Sequence, residues 1–134
     1  MNDGSAYDFD ESKWPRLRIR MNRKPSDDEF RDYLERYEAY LARTERYGLV
    51  LDVAPAVGMI SVSQARMQAE WMKGNGSRLR ERCWGVAFLL PSAVHRGVLK
   101  AILKMQPVPT DYTVVGSMEE AEAWLSRMAP SHAA

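Results

Sequence analysis

Sulfur and imidazole are scarce in this chain: one cysteine, Cys83, and two histidines, His95 and His132, in 134 residues. A single thiol excludes an intrachain disulfide and suits a reducing compartment. So few histidines and cysteines also leave no metal site of the usual composition, and neither a metal nor a cofactor is expected. Charge of one sign is equally lacking. Nineteen basic and eighteen acidic residues give a formal net charge of +1, so nothing draws the protein as a whole to nucleic acid. The longest apolar run, Val86 to Pro91, is far shorter than the roughly 20 residues that span a bilayer, and no transmembrane segment is expected. Met1 to Ser12 is acidic and polar, without the basic start and apolar stretch of a signal peptide. The expected location is cytoplasmic. Gly74-Asn75-Gly76-Ser77 lacks the length and the lysine of a phosphate-binding loop, and no dinucleotide fingerprint occurs.

What is present is regular patterning. In Arg16-Leu17-Arg18-Ile19-Arg20-Met21 apolar and basic residues alternate, the period of a half-buried strand; Tyr7 to Asp10 is placed to pair with it as a hairpin. Ser26 followed three residues later by Glu29 is a capping box, and Phe30, Tyr33, Leu34, Tyr37 and Leu41 then follow helical spacing. Tyr40 lies off that stripe and is expected to be exposed. Leu49-Val50-Leu51 is a short strand ending at Asp52, and a loop containing Pro55 and Gly58 follows. Ser61 with Gln64 repeats the capping box and opens a second helix. Gly74 and Gly76 should weaken or break that helix, at roughly 1 kcal/mol per glycine against alanine, with Ser77 recapping a last turn. Val86 to Leu90 is apolar throughout, as in a strand covered on both faces. Ser92 opens a third helix whose buried stripe is expected to be Val94, Val98, Ile102 and Met105. Tyr112 to Val115 is the last strand, and Ser117 with Glu120 caps a final helix carrying Ala121, Trp124 and Leu125.

This order predicts an α/β domain: a mainly parallel sheet of four to five strands flanked by four helices on both faces. Residues 13–128 form the single domain. Residues 1–12 are a tail that contributes at most to a first hairpin, and residues 129–134 a disordered C-terminal tail.

Four features in this order resemble SpoIIAA-like members of the STAS superfamily, the group that includes bacterial anti-anti-sigma factors. They are the Leu49-Val50-Leu51-Asp52 strand, the helix capped at Ser61, the Gly85-Val86-Ala87-Phe88-Leu89 strand, and the closing Glu119-Glu120-Ala121-Glu122-Ala123-Trp124-Leu125. The resemblance spans about residues 14–128. It implies a STAS/SpoIIAA-like fold and a non-enzymatic regulatory role through protein contact, with 54–64 as the docking surface. The related lipid-transfer group shares a similar core and implies the alternative, a small-ligand or lipid-binding domain. Phosphorylated STAS domains carry Asp-Ser-Ser-Gly at the start of this helix. The matching residues here are Ile60, Ser61, Val62 and Ser63, so a valine holds the phosphoacceptor position.

Individual side chains add candidates. Ser61 and Ser63 sit where a helix dipole favours a phosphate, although simple N-capping explains the same spacing. Asp52 ends a strand where open α/β sheets bind ligands, or it caps the following loop. Met67 with Trp71 suggests a self-association surface, which makes a second copy of the chain a candidate partner. Arg96, Lys100 and Lys104 recur every four residues as a cationic stripe for an acidic partner, or as an ordinary solvated face. Arg16, Arg18 and Arg20 read as edge-strand protection or an anion-binding edge. Cys83 has no base placed beside it by any motif, so it is expected to be a buried structural thiol. No residue set is expected to be catalytic.

Overall fold

The computed structural model describes residues 6–43, 45–53, 61–105 and 108–130. The loop expected at 54–59, most of the docking surface expected at 54–64 and the outermost residues of both tails lie outside the described residues. The elements run β1 (Tyr7–Lys13), β2 (Arg16–Met21), α1 (Asp27–Leu41), β3 (Tyr47–Asp52), α2 (Val62–Arg82), β4 (Cys83–Leu89), α3 (Ala93–Met105), β5 (Tyr112–Val115) and α4 (Met118–Met128). The five strands form one sheet in the order β1-β2-β3-β4-β5. β1 and β2 are an antiparallel hairpin, and the other three pairings are parallel.

Topology decides which face each helix covers. Every parallel crossover steps the same way along the sheet, and right-handed crossovers then put α1, α2 and α3 on one face. One core accordingly joins Leu17, Ile19, Leu49, Val86 and Phe88 of the strands to Phe30, Leu34 and Leu41 of α1, Leu79 of α2 and Leu103 of α3. The alternate strand residues Val50, Ala87 and Leu89 face the other way and pack with Ala121 and Leu125 of α4. Both faces are covered, three helices to one.

The hairpin carries an aromatic layer onto α1. Phe9 stacks on Tyr40 at 5.8 Å, Trp14 on Tyr40 at 5.8 Å and on Tyr47 at 5.6 Å, and Tyr7 on Tyr33 at 4.4 Å. Tyr40 is therefore buried, at 5% exposure, and not exposed as its place off the stripe suggests. The hairpin reaches beyond the parallel sheet and covers a side of α1 that helical periodicity assigns to solvent. Its hydroxyl donates to Glu11 at 2.8 Å.

α2 also departs from expectation. It runs unbroken through Gly74-Asn75-Gly76, and Ser77 caps nothing. Asn75 sits within the helix as a buried residue. Its amide donates to the Trp71 carbonyl at 3.1 Å, and its oxygen accepts from Arg78 at 2.5 Å. Burial of Gln64, Asn75 and Leu79 offsets the roughly 2 kcal/mol that two glycines cost a helix.

Candidate docking surfaces

α3 turns a different face to the sheet from the one its composition suggests. Leu103 is buried and Leu99 packs against the core. Val94, Val98, Ile102 and Met105 are 75%, 53%, 47% and 85% exposed. The expected core stripe is thus the outer face of the helix. The phase is fixed by Arg96, whose guanidinium reaches back past the start of the helix and donates to the Leu90 carbonyl at 2.8 Å and the Pro91 carbonyl at 2.7 Å. Arg96, Leu99 and Leu103 lie three and four residues apart, so tying the first inward carries the other two with it. Arg96 therefore does not stand in a solvated row with Lys100 and Lys104. The two lysines are exposed, and α3 holds no acidic residue. The result is an apolar strip with both lysines to one side of it.

A second cluster joins the first turns of α1 and α2. Ser61 is the N-cap of α2, its hydroxyl accepting from the Gln64 amide at 3.1 Å. The Ser63 hydroxyl donates to Asp27 at 2.8 Å and lies 3.1 Å from that of Ser61. The Gln64 side chain is buried and donates to the Pro25 carbonyl at 2.9 Å and to Asp27 at 3.1 Å. The hydrogen bonds from Ser63 and Gln64 hold the Asp27 carboxyl below its ordinary pKa. The positive ends of two helices already share one carboxylate. A phosphate on Ser63 would stand beside that carboxylate as a like charge.

The α1 capping box shows the same physics. Glu29 accepts from Arg23 at 2.6 Å and from the Ser26 amide at 2.8 Å. Chiefly through Arg23, then Ser26, its pKa falls from 4.5 to about 2. A depressed acid stabilises the fold above its unfolded pKa and loses that contribution as pH falls through the folded one. Stability should therefore decline between pH 4.5 and about 2. Carboxyl NMR titration should find Glu29 still ionised at pH 3.5, roughly midway, and lose this shift in Arg23→Gln. The cap of α4 is only half a box: Ser117 accepts from the Glu120 amide, while the Glu120 carboxylate accepts from the Gly116 amide.

The basic row of β2 lies inside the sheet, with β1 outside it, so edge protection is not its role. Arg16 pairs with Glu122 of α4, and Arg18 pairs with Asp52 at 3.2 Å. Asp52 is buried, 8% exposed at its side chain, and acts as an internal counter-ion at the carboxyl end of β3. Met67 lines a groove between α1 and α2 with Leu34 and Trp71. Cys83 is fully buried, its thiol pushed up to about 12, mainly by desolvation, so it is a poor nucleophile. Among the described residues no three His, Cys, Asp or Glu side chains gather as metal ligands, and no helix is long and apolar enough to cross a membrane.

No protein-family model matches the chain, and no curated protein sequence matches it. Among solved structures, an uncharacterised DUF3478-family protein from Shewanella loihica, described as having a SpoIIAA-like fold, superposes with a TM-score of 0.68 over 90% of this chain and 92% of its own. The two sequences are 15% identical. The fold is SpoIIAA-like. At that identity the SpoIIAA-like likeness speaks of architecture, and function has to be argued from the surfaces. Sequence reasoning missed the α3 strip because its period is correct and only its phase is reversed.

Proposed function

We propose that this SpoIIAA-like protein is a non-enzymatic, cytoplasmic interaction module that docks an acidic protein partner along the outer face of α3. One observation carries the reading: Val94, Val98, Ile102 and Met105 form an exposed apolar row beside Lys100 and Lys104, on a helix with no acidic residue. The row runs from Val94 to Met105, eleven helical steps or about 17 Å at helical rise. Contiguous exposed apolar surface rimmed by charge marks a contact site rather than ordinary surface. Leu99 and Leu103 supply the packing that holds α3 to the core, so the outer row is not needed for folding. A partner segment with apolar residues at helical spacing and carboxylates on its flanks matches this pattern. The lysines would speed encounter and confer salt dependence. A protein partner fits better than a lipid surface, since interfacial helices rely on Trp, Phe or Leu anchors and many basic residues, and this row has neither.

The test begins with the wild-type protein and Val98→Asp as paired baits in lysate of the source cell. Each captured protein is then purified and titrated. Support is a partner whose Kd rises at least about tenfold with Val98→Asp and rises further with Lys100→Glu, with its footprint on α3 by hydrogen exchange. If every purified partner binds both forms equally, the proposal fails. Val98-dependent binding to phosphatidylserine vesicles instead of protein also overturns it.

A further inference from the structure

We infer that the groove between α1 and α2 is a homodimer interface, in which a second copy lies across it with its helices antiparallel to the first. The groove is open, about 520 Å³ in volume, with Leu34, Met67 and Trp71 among its lining residues. α1 and α2 run in the same direction, because each returns from the end of one parallel strand to the start of the next. Contacts between the helices set their relative level: Asp27 meets Ser63, and further along Glu38 accepts from the Trp71 indole at 3.2 Å. That alignment places Arg31 of α1 beside the level of Arg66 of α2, and Glu35 beside that of Glu70. All four line the groove. Each pair is separated by four residues, about 6 Å along its helix.

The groove is therefore cationic at one end and anionic at the other. A two-fold axis in the interface plane, perpendicular to the helices, lays each helix antiparallel on its own copy. Arg31 then faces Glu35 of the other copy, and Arg66 faces Glu70. Self-complementarity of this kind is what an isologous interface requires. A parallel arrangement would set like charges together. The charges are available for such pairing. Glu35 and Arg66 have no ion-pair partner among the described residues. Arg31 and Glu70 make only exposed pairs with Asp28 and Lys73, at 2.8 Å and 3.4 Å, and exposed pairs contribute little. The surface is separate from α3, so the homodimer stands or falls independently of the partner proposed for that helix.

Charge reversal tests the geometry. Sedimentation velocity of the whole chain should give a mass rising toward twice 15.3 kDa with concentration. Glu35→Arg sets a cation against Arg31 of the other copy, twice per dimer, and should raise the dimer Kd at least about tenfold. The double variant Arg31→Glu with Glu35→Arg restores complementarity and should dimerise again, yet should not pair with the wild-type chain in native mass spectrometry. Both positions are exposed, and circular dichroism checks that the variants are folded. Val98→Asp should leave the dimer intact. A wild-type chain that stays monomeric at all concentrations, a dimer indifferent to Glu35→Arg, or a folded double variant that remains monomeric would overturn the inference.

Discussion

Gly85→Ala is expected to destabilise the fold by about 3 kcal/mol, the upper end of ordinary overpacking, and to loosen α4 from the sheet. A Cβ at Gly85 would lie 2.7 Å from Cζ3 and 2.8 Å from Cη2 of Trp124. Those atoms belong to a rigid ring on α4, so relief requires moving the helix or turning the whole indole. Gly48 stands beside Gly85 in register on β3 and receives Trp84 in the same way, with a built Cβ 2.8 Å from Cε2. Trp84 is held further by its indole N–H, which donates to the Leu125 carbonyl of α4 at 3.2 Å. Two adjacent glycines thus make the flat place on which two tryptophans seat α4. Denaturant unfolding should show the loss, with native tryptophan fluorescence shifted toward that of solvent-exposed indole. In a Trp124→Leu background the Gly85→Ala penalty should shrink by at least about 1 kcal/mol, because the two sites are in contact. An equal penalty in both backgrounds would mean that the ring contact is not the cause.

That platform shows what sequence patterning conveys and what it leaves out. Gly85 is visible as part of an apolar strand, and Trp124 as part of a helical stripe. Neither states that the two meet, because the pairing depends on which helix crosses to the lone-helix face. Local chemistry was more legible. Ser26 with Glu29 and Ser61 with Gln64 form complete capping boxes, since the cap is made by residues three apart and needs no tertiary partner. A mainly parallel sheet of four to five strands followed from alternation and spacing, and the SpoIIAA-like fold from the resemblance carried by four segments. Gly74 and Gly76 misled for the opposite reason. Propensity is a weak local term, and the buried Asn75 and Leu79 that hold α2 through it are tertiary facts.

The site residues divide along the same line. Ser61 and Ser63 were correctly placed at a helix start, but the carboxylate that engages Ser63 comes from Asp27, thirty-six residues away. Asp52 was placed at a strand end; its counter-ion, Arg18, belongs to the neighbouring strand. Met67 does line a surface groove, and the charges that give the groove its polarity alternate along α1 and α2 in the sequence itself. Arg31 and Glu35, like Arg66 and Glu70, are four apart. That signal was readable, and it gained meaning only when the two helices proved parallel and in level.

α3 offers the sharpest contrast between two readings of one segment, and substitution with aspartate separates them. Leu103→Asp is expected to cost about 4 kcal/mol or more, enough to unfold a protein of ordinary stability in part at room temperature. It removes a large apolar side chain that is 5% exposed, worth about 2–5 kcal/mol in a core, and forces a charge into the apolar core that Leu103 now joins. Val98→Asp, one residue before Leu99 and five before Leu103, should change stability by less than about 0.5 kcal/mol, because its side chain is already half in water. Had Val94, Val98 and Ile102 been the buried row, the order of the two effects would be reversed. Arg96→Ala should fall between them. It leaves the Leu90 and Pro91 carbonyls without the guanidinium that now joins them, at roughly 1–3 kcal/mol for a charge-assisted bond. It also removes the tether that sets the phase of the helix, so hydrogen exchange in α3 should quicken more than in α4. Urea midpoints of the three variants, ranked Leu103→Asp lowest, then Arg96→Ala, then Val98→Asp near wild type, would establish that the apolar row on α3 faces outward by construction. A Val98→Asp midpoint as low as that of Leu103→Asp would put the row back in the core and remove the docking surface with it.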